Sequence, residues 1–239
     1  MKTLGICIAG SLRSLEYTKD NIVNLLIKPN NEEYKIKIFI YLPNDNNSTK
    51  IELLKDYDLD MDILIEDDIK LQLPNCIWNG RPVGVKIDNV STAGLSGYLQ
   101  QLYGIEKSYN MLKKYEKDNG MVFDVILRTR SDVVYLNPLD IKNYDLTNII
   151  LPNFHQWHGV NDRFGLGNRN IMDTYMKMYS NIYEITEAYL KTNKRPIMLS
   201  KAEAFCKLNL DLYNIKYIRD DSIRFNRIRM GGTVSNDSF

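Results

Sequence analysis

The chain has 239 residues, of which 44% are hydrophobic and 26% are charged, a composition typical of a globular protein with a sizeable core. Its 31 basic and 30 acidic side chains nearly cancel, which argues against binding of nucleic acid through bulk charge. No apolar run approaches the roughly 20 residues that a membrane-spanning helix needs. We therefore expect a soluble, cytoplasmic protein with no integral membrane segment and no nucleic-acid partner. Three widely spaced cysteines, Cys7, Cys76 and Cys206, predict reduced and mostly buried thiols.

The first half of the chain alternates predicted strands and helices. Apolar runs predict strands and apolar residues at helical spacing predict helices, in the order strand 4–9, helix 15–27, strand 36–42, short helix 48–57 and strand 62–66. Residues 69–94 carry proline and glycine without clear periodicity, which predicts an irregular segment, with a hairpin as an alternative.

The second half continues the same alternation. The predicted elements are helix 96–117, strand 122–127, an apolar run over 133–136, strand 148–151, helix 168–190, a helix from about residue 200 and strand 215–218. This order predicts an α/β fold with a mostly parallel central sheet and helices on both faces. Ligands of such sheets bind outside the carboxyl ends of the strands.

Two segments that follow predicted strands carry groups suited to an anion. Gly10 lets the backbone approach a ligand closely, and Arg13 adds a forked cation that suits phosphate. Arg128, Arg130 and Asp132 follow the strand over 122–127, and together they would suit a metal-bound diphosphate. Each has a plain structural alternative: a glycine at a tight turn beside a solvated arginine, and an internal salt-bridge cluster.

Residues 151–167 hold both histidines of the chain, His155 and His158, together with Trp157, Asn161 and Asp162. The Trp157 ring could stack on a sugar, and the Asp162 carboxylate could accept a proton from an attacking hydroxyl. A zinc site on the two histidines would need a third ligand, and an Asx turn is the structural alternative for Asp162.

The basic segment 224–229 predicts a solvated strand or extension, with a clamp on an anionic ligand as the alternative.

Three segments, in this order over about residues 4–175, resemble small glycosyltransferases of the GT-A type that build viral and bacterial surface polysaccharides. Gly10-Ser11-Leu12-Arg13 is similar to their G-x-L-R-[ST] start, and Arg128-Thr129-Arg130-Ser131-Asp132 to their R-x-R-x-D element. Asn161-Asp162-Arg163-Phe164 precedes a predicted helix that contains Met172.

The resemblance implies one Rossmann-like GT-A domain over residues 1–239, with the nucleotide bound by about 1–136 and the acceptor by about 137–239. It implies a UDP- or GDP-type sugar donor, and a glycan or glycoprotein acceptor. Asp132 would hold Mn²⁺ or Mg²⁺ at the place of the DxD acid, and Gly10, Arg13, Arg128 and Arg130 would bind the nucleotide sugar. The DxD element has its first acid two residues before the position of Asp132. In this chain that residue is Arg130, and its charge could partly replace the metal ion.

In this interpretation the site neutralises the leaving diphosphate and positions the acceptor. If the enzyme inverts, Asp162 is the predicted base, and Trp157, His158 and Asn161 contact the acceptor. Two other classes of function remain open: a non-catalytic nucleotide-sugar-binding protein on the same scaffold, and a sulfotransferase-like nucleotide-dependent transferase.

Overall fold

The computed structural model describes residues 1–67, 76–78, 81–83, 92–193 and 202–235. They form an α/β fold in which a mostly parallel sheet of seven strands is flanked by helices. The strands are β1 (Lys2–Ala9), β2 (Tyr34–Pro43), β3 (Met61–Glu66), β4 (Cys76–Trp78), β5 (Arg81–Val83), β6 (Val125–Thr129), β7 (Val133–Tyr135), β8 (Ile149–Pro152), β9 (Gly165–Asn168), β10 (Tyr217–Asp220) and β11 (Phe225–Arg227). The α-helices are α1 (Leu15–Ile22), α2 (Thr92–Asn119), α3 (Arg169–Met176), α4 (Ile182–Asn193) and α5 (Ala202–Leu212). A π-helical segment (Val23–Ile27) and a 3₁₀ turn (Lys28–Asn30) extend α1, and further 3₁₀ segments cover Ser48–Tyr57 and Ile141–Asn143.

The central sheet has the order β10-β8-β9-β6-β1-β2-β3. β1 is parallel to β2 and β6, β2 is parallel to β3, and β8 is parallel to β10, whereas β9 is antiparallel to both of its neighbours. The chain moves outward from β1 to β3 and then returns to the other side of β1. The strand order therefore reverses between β1 and β6, where the loops after the two strands diverge and open α/β sheets bind ligands.

The sheet separates two hydrophobic layers. Because side chains alternate along a strand, β1 directs Leu4, Ile6 and Ile8 toward α1 and Cys7 toward α2. The first layer also contains the 3₁₀ segment Ser48–Tyr57, and the second contains α3, α4 and α5. Helices thus cover both faces of the sheet, as the sequence predicted.

The prediction of buried, reduced thiols is confirmed for two of the three cysteines. Cys7 and Cys206 are free and buried, and burial raises the pKa of each thiol to about 12. Such thiols are chemically inert at neutral pH. The side chain of Cys76 lies outside the described residues.

Most predicted elements are present with small shifts of their ends. The strands predicted over 4–9, 36–42, 62–66 and 148–151 match β1, β2, β3 and β8. The helices predicted over 15–27 and 96–117 are confirmed, although α2 begins at Thr92. Within residues 69–94, β4 and β5 pair in antiparallel fashion, as the hairpin alternative requires, and most of the remainder lies outside the described residues.

The prediction of one helix over 168–190 is wrong, because two helices, α3 and α4, lie in this range. The segment between them contacts α2. The Glu106 carboxylate accepts hydrogen bonds from the Ser180 amide, at 2.9 Å, and from the Ser180 hydroxyl. An amide that donates to a side chain of another helix does not donate to a carbonyl of its own helix. The spacing of apolar residues along the sequence does not indicate such a contact.

The sequence did not predict β9, which lies between β6 and β8. Its glycines weaken the strand signal, but they let α3 pack directly on the strand. A Cβ at Gly165 would lie 2.6 Å from the Tyr175 ring, and one at Gly167 would lie 2.8 Å from Ile171 Cδ1.

The segment 224–229 contains a strand, but the prediction that it is solvated is wrong. β11 pairs with β7 in a separate two-stranded sheet, and Phe225 and Ile228 are buried. Among the described residues, no helix is both long and apolar enough to cross a bilayer.

Candidate functional site

A cleft of about 230 Å³ opens at the carboxyl ends of β1 and β6, where the strand order reverses. It brings together four of the predicted nucleotide-sugar-binding residues, Gly10, Arg13, Arg130 and Asp132. The other lining residues are Ala9, Ser11, Tyr41, Pro43, Gly97, Gln100, Gln101 and Ser131. The cleft therefore combines an apolar wall at the end of β2 with a charged wall after β6.

Two glycines shape the backbone around this cleft. Gly10 has φ of +115°, a conformation that L side chains rarely adopt, and its amide donates to the Tyr41 carbonyl at 3.1 Å. Gly104 lies on α2, where a Cβ would be 3.0 Å from the Tyr41 ring and 3.3 Å from the Ala9 Cβ. The missing side chain lets α2 approach the ends of β1 and β2, which brings Gln101 into the cleft wall.

Arg130 and Asp132 form a two-point ion pair inside the cleft. Arg130 Nε donates to Asp132 Oδ1 at 2.7 Å and Nη2 donates to Oδ2 at 2.8 Å, and Arg227 Nε lies 4.0 Å from Oδ2. Burial disfavours the charged carboxylate, but the charges of Arg130, Arg227 and Arg13 outweigh it and lower the pKa of Asp132 from 3.8 to about 2. The internal salt bridge, which was the structural alternative, is therefore present and occupies the predicted site.

The donor set around Asp132 does not fit a divalent cation. Mn²⁺ and Mg²⁺ take several oxygen ligands, and here the single carboxylate has both oxygens bonded to Arg130 and faces three guanidinium groups. Among the described residues, no three His, Cys, Asp or Glu side chains lie close enough to hold a metal together. The predicted role of Asp132 as a metal ligand stays a prediction, and the chemistry proposed below uses the side chains of the chain alone.

Gln101 connects this ion pair to the predicted base. Its Oε1 accepts from Arg130 Nη1 at 3.2 Å, and its Nε2 donates to Asp162 Oδ2 at 2.8 Å. Asp162 is 6% exposed and does not itself line the cleft, so Gln101 stands between it and the charged wall.

The sequence analysis missed Gln101, although a signal was present. Residue 101 follows the buried Tyr98 by three positions and precedes the buried Ile105 by four. It therefore lies on the apolar face of α2, where a polar side chain needs a partner.

Arg128 does not line the cleft. It is 2% exposed and lies on β6, where its Nη1 donates to the Asp162 carbonyl and, at 3.0 Å, to the Tyr175 hydroxyl. That hydroxyl donates in turn to the Phe164 carbonyl at 3.1 Å. Arg128 and Tyr175 thus fix the backbone carbonyls of Asp162 and Phe164, and in this position Arg128 supports the loop from beneath the cleft instead of lining it.

The loop before Asp162 carries the predicted acceptor residues. His155, Trp157 and His158 have φ of 47°, 33° and 68°, values that are strained for residues other than glycine. Trp157 is 60% exposed and its ring stacks on that of His155, with ring centroids 6.2 Å apart and an angle of 19°. Strained backbone of this kind clusters at functional sites, and the exposed ring gives a flat apolar surface.

Asn161 stabilises the loop that contains it. It is 1% exposed, its Nδ2 donates to the Phe154 carbonyl at 3.0 Å, and its Oδ1 accepts from the Arg163 amide at 2.9 Å. Trp157, His158 and Asn161 are not among the residues that line the cleft. The hydrogen bond from Gln101 to Asp162 connects this loop to the cleft wall.

The profile of one protein family, described as a domain of unknown function (DUF7796), matches residues 1–221. The match includes every residue of the cleft wall and the loop up to Asp162, and it ends before β11. No curated protein matches the chain.

Proposed function

The chain belongs to this family of unknown function, and from the site itself we propose that it is a glycosyltransferase that moves a sugar from a nucleotide diphosphate to a glycan or glycoprotein acceptor. The observation that carries the proposal is the cleft at the β1/β6 reversal, with Arg13 and Arg130 on its charged wall and Tyr41 and Pro43 opposite. Guanidinium groups suit a diphosphate, and an apolar wall suits a nucleoside.

The GT-A type of scaffold is part of the proposal. In its favour are the parallel run β3-β2-β1-β6 and the positions of Gly10-Ser11-Leu12-Arg13 and Arg128–Asp132 at its carboxyl ends. Cleavage of the bond between sugar and diphosphate develops negative charge on the leaving phosphate. Arg130 and Arg13 would stabilise that charge.

Asp162 is the proposed base for an inverting transfer. Its carboxylate is held by Gln101 Nε2, and its backbone is held by Arg128. A carboxylate with this orientation would accept the proton of the acceptor hydroxyl as the hydroxyl attacks the anomeric carbon. The exposed ring of Trp157, in the same loop, would stack on the acceptor sugar.

The test is a screen of UDP- and GDP-sugars for release of the nucleotide diphosphate and for transfer to glycan acceptors, each with and without Mn²⁺. Asp162→Asn keeps an acceptor oxygen for Gln101, so we expect donor binding to persist and transfer to fall by about 10²- to 10⁴-fold. Asp56→Asn, at an exposed position, is the matched control. If no nucleotide sugar is consumed, the proposal fails, and if Asp162→Asn transfers normally, the base is another group.

A non-catalytic nucleotide-sugar-binding protein is the second candidate. The Arg130–Asp132 pair favours this function. Where the DxD element has its first acid, this chain has Arg130, and Arg130 pairs with Asp132, which stands at the second acid. This function predicts that UDP or GDP raises the melting temperature by mass action while no donor is hydrolysed under any condition.

A further inference from the structure

We propose that the cleft binds a diphosphate without a metal ion through an exchange of arginine partners, in which Asp132 releases Arg130 to the ligand and Arg227 replaces Arg130 at Asp132. Arg130 and Arg13 are then the binding residues, and Asp132 and Arg227 are positioning residues. The identity of the diphosphate as part of a nucleotide sugar rests on the proposed function, but the anion site does not.

Arg130 already occupies the Asp132 carboxylate. Both of its oxygens are hydrogen-bonded to Arg130, whose third nitrogen, Nη1, donates to Gln101. A metal ion could reach the carboxylate only after Arg130 had left it, and it would then meet the positive charges of Arg13 and Arg227. An anion entering the same cleft would instead be attracted by Arg13 and Arg130, which line it, and Arg130 can turn toward the anion.

Arg227 is held beside this ion pair by the backbone. β11 pairs with β7 so that Arg227 lies opposite Val133, the residue that follows Asp132. The Ile228 amide donates to the Asp132 carbonyl at 2.8 Å, and the Ser14 hydroxyl donates to the Ile228 carbonyl at 2.7 Å. These bonds fix the backbone on both sides of the ion pair, so Arg227 Nε is held 4.0 Å from Asp132 Oδ2. A small movement of its side chain would replace the hydrogen bonds that Arg130 gives up.

The electrostatics of the cleft favour an anion. The charges of Arg130, Arg227 and Arg13 lower the pKa of Asp132 despite its burial, so the electrostatic potential at this wall of the cleft is positive. Both phosphates of a nucleotide diphosphate are ionised at neutral pH, so the ligand would be attracted to this wall. Without Arg227, the departure of Arg130 would leave Asp132 with neither of its two close cations, and an unpaired buried carboxylate is unfavourable. Arg227 lies beyond residue 221, where the family match ends, so the exchange depends on the C-terminal segment of this chain.

The experiment is calorimetric titration of the full chain with inorganic pyrophosphate, UDP and GDP, in EDTA and in Mn²⁺. We expect binding of at least one probe in EDTA, with affinity within about threefold of that in Mn²⁺ after correction for binding of Mn²⁺ to the probe. This comparison uses the unaltered chain, so it does not depend on the folding of a variant. Binding that requires Mn²⁺, or no binding of any probe in either buffer, would overturn the inference.

Four variants then separate the roles. Arg130→Gln should weaken binding at least about tenfold, because it removes charged hydrogen bonds to the anion. Asp132→Asn should bind as tightly as the unaltered chain or more tightly, because Arg130 no longer has a competing carboxylate. A metal ligand predicts the opposite, and loss of binding in Asp132→Asn at a temperature where circular dichroism shows the variant to be fully folded would refute the exchange.

Arg227→Gln should weaken binding about three- to fivefold, and Arg227→Lys should restore most of it. Arg224→Gln is the matched control from the same segment, because Arg224 Nε donates to the Asp221 carbonyl and Arg224 is not among the charges that act on Asp132. Equal effects of Arg227→Gln and Arg224→Gln would refute the role of Arg227. Probe binding in EDTA without any sugar transfer would leave this inference standing and refute the proposed function, whereas transfer that needs Mn²⁺ would do the reverse.

Discussion

Replacing Asp132 by asparagine should destabilise the fold by an amount that depends on pH. The pKa of the folded carboxyl is about 2 against an ordinary 3.8, a difference of about 1.8. At about 1.36 kcal/mol for each unit, the charged carboxylate contributes about 2 kcal/mol of stability at neutral pH. The side chains of Asp132 and Arg130 are only 8% and 20% exposed, so solvent screens their interaction weakly.

The sign follows from the lowered pKa. Stability from a carboxyl of this kind is fully present above about pH 4, where the unfolded chain is also ionised, and it is lost as the pH falls through about 2. At pH 3 about half of it should remain. Asparagine does not titrate, so the difference between the two proteins should narrow from about 2 kcal/mol at pH 7 to about 1 kcal/mol at pH 3.

The assay is urea denaturation of the unaltered chain, Asp132→Asn and the exposed control Asp56→Asn, at pH 7, 5 and 3. For a chain of 239 residues, a loss of about 2 kcal/mol also lowers the melting temperature by about 4 °C. We expect Asp56→Asn to stay within about 0.5 kcal/mol of the unaltered chain. A difference for Asp132→Asn that is the same at pH 7 and pH 3 would show that charge pairing is not its cause, and the account of the ion pair would be wrong.

Three further predictions test the supports of the site. Gly159→Ala should cost at least about 2 kcal/mol in urea denaturation, because its Cβ would lie 1.9 Å from the Glu203 carbonyl oxygen, whereas Gly97→Ala, with no atom within 4 Å, should not destabilise. Tyr175→Phe should cost about 1–3 kcal/mol, because it removes the hydroxyl between Arg128 and the Phe164 carbonyl, and the exposed Tyr183→Phe should cost nothing measurable. Gln101→Glu places a second carboxylate against Asp162, so transfer should fall about tenfold at pH 7 and the loss should diminish toward pH 5, where the protonated acid can donate as the amide does. Asn110→Asp, at an exposed position on the same helix, is its control in a pH profile of kcat/KM, and equal profiles for the two variants would contradict a positioning role for Gln101.

The sequence was informative where the chemistry of an element is local. The apolar runs of β1, β2 and β6 and the spacing of α2 predicted a parallel sheet with helices on both faces. Because the carboxyl ends of parallel strands meet at one edge, the same patterns predicted that Gly10, Arg13, Arg128, Arg130 and Asp132 would lie at this edge, and all of them except Arg128 line the cleft. The position of these residues at one edge could be predicted because strand direction follows from the order of elements along the chain.

The contacts between distant segments were decided by the tertiary structure. Glu106 binds Ser180 between α3 and α4, and the Tyr175 ring leaves no room for a Cβ at Gly165 of β9, so the incorrect and the missed element in this region both involve side chains from elsewhere in the chain. The partner of Asp132 was similarly undetermined. Spacing allowed either a metal or an arginine, and the folded geometry directs Arg130 at both carboxylate oxygens, while the metal stays a prediction.

Composition and periodicity thus determined the kind of fold and the edge of the sheet at which a ligand would bind, because both follow from local hydrophobicity and chain direction. Only the tertiary structure placed Arg227 beside Asp132 and Gln101 beside Asp162, since these pairs are separated by 95 and 61 positions in the sequence. A charge pattern read along the chain gives the groups that are present, whereas the fold decides which of them neutralise one another.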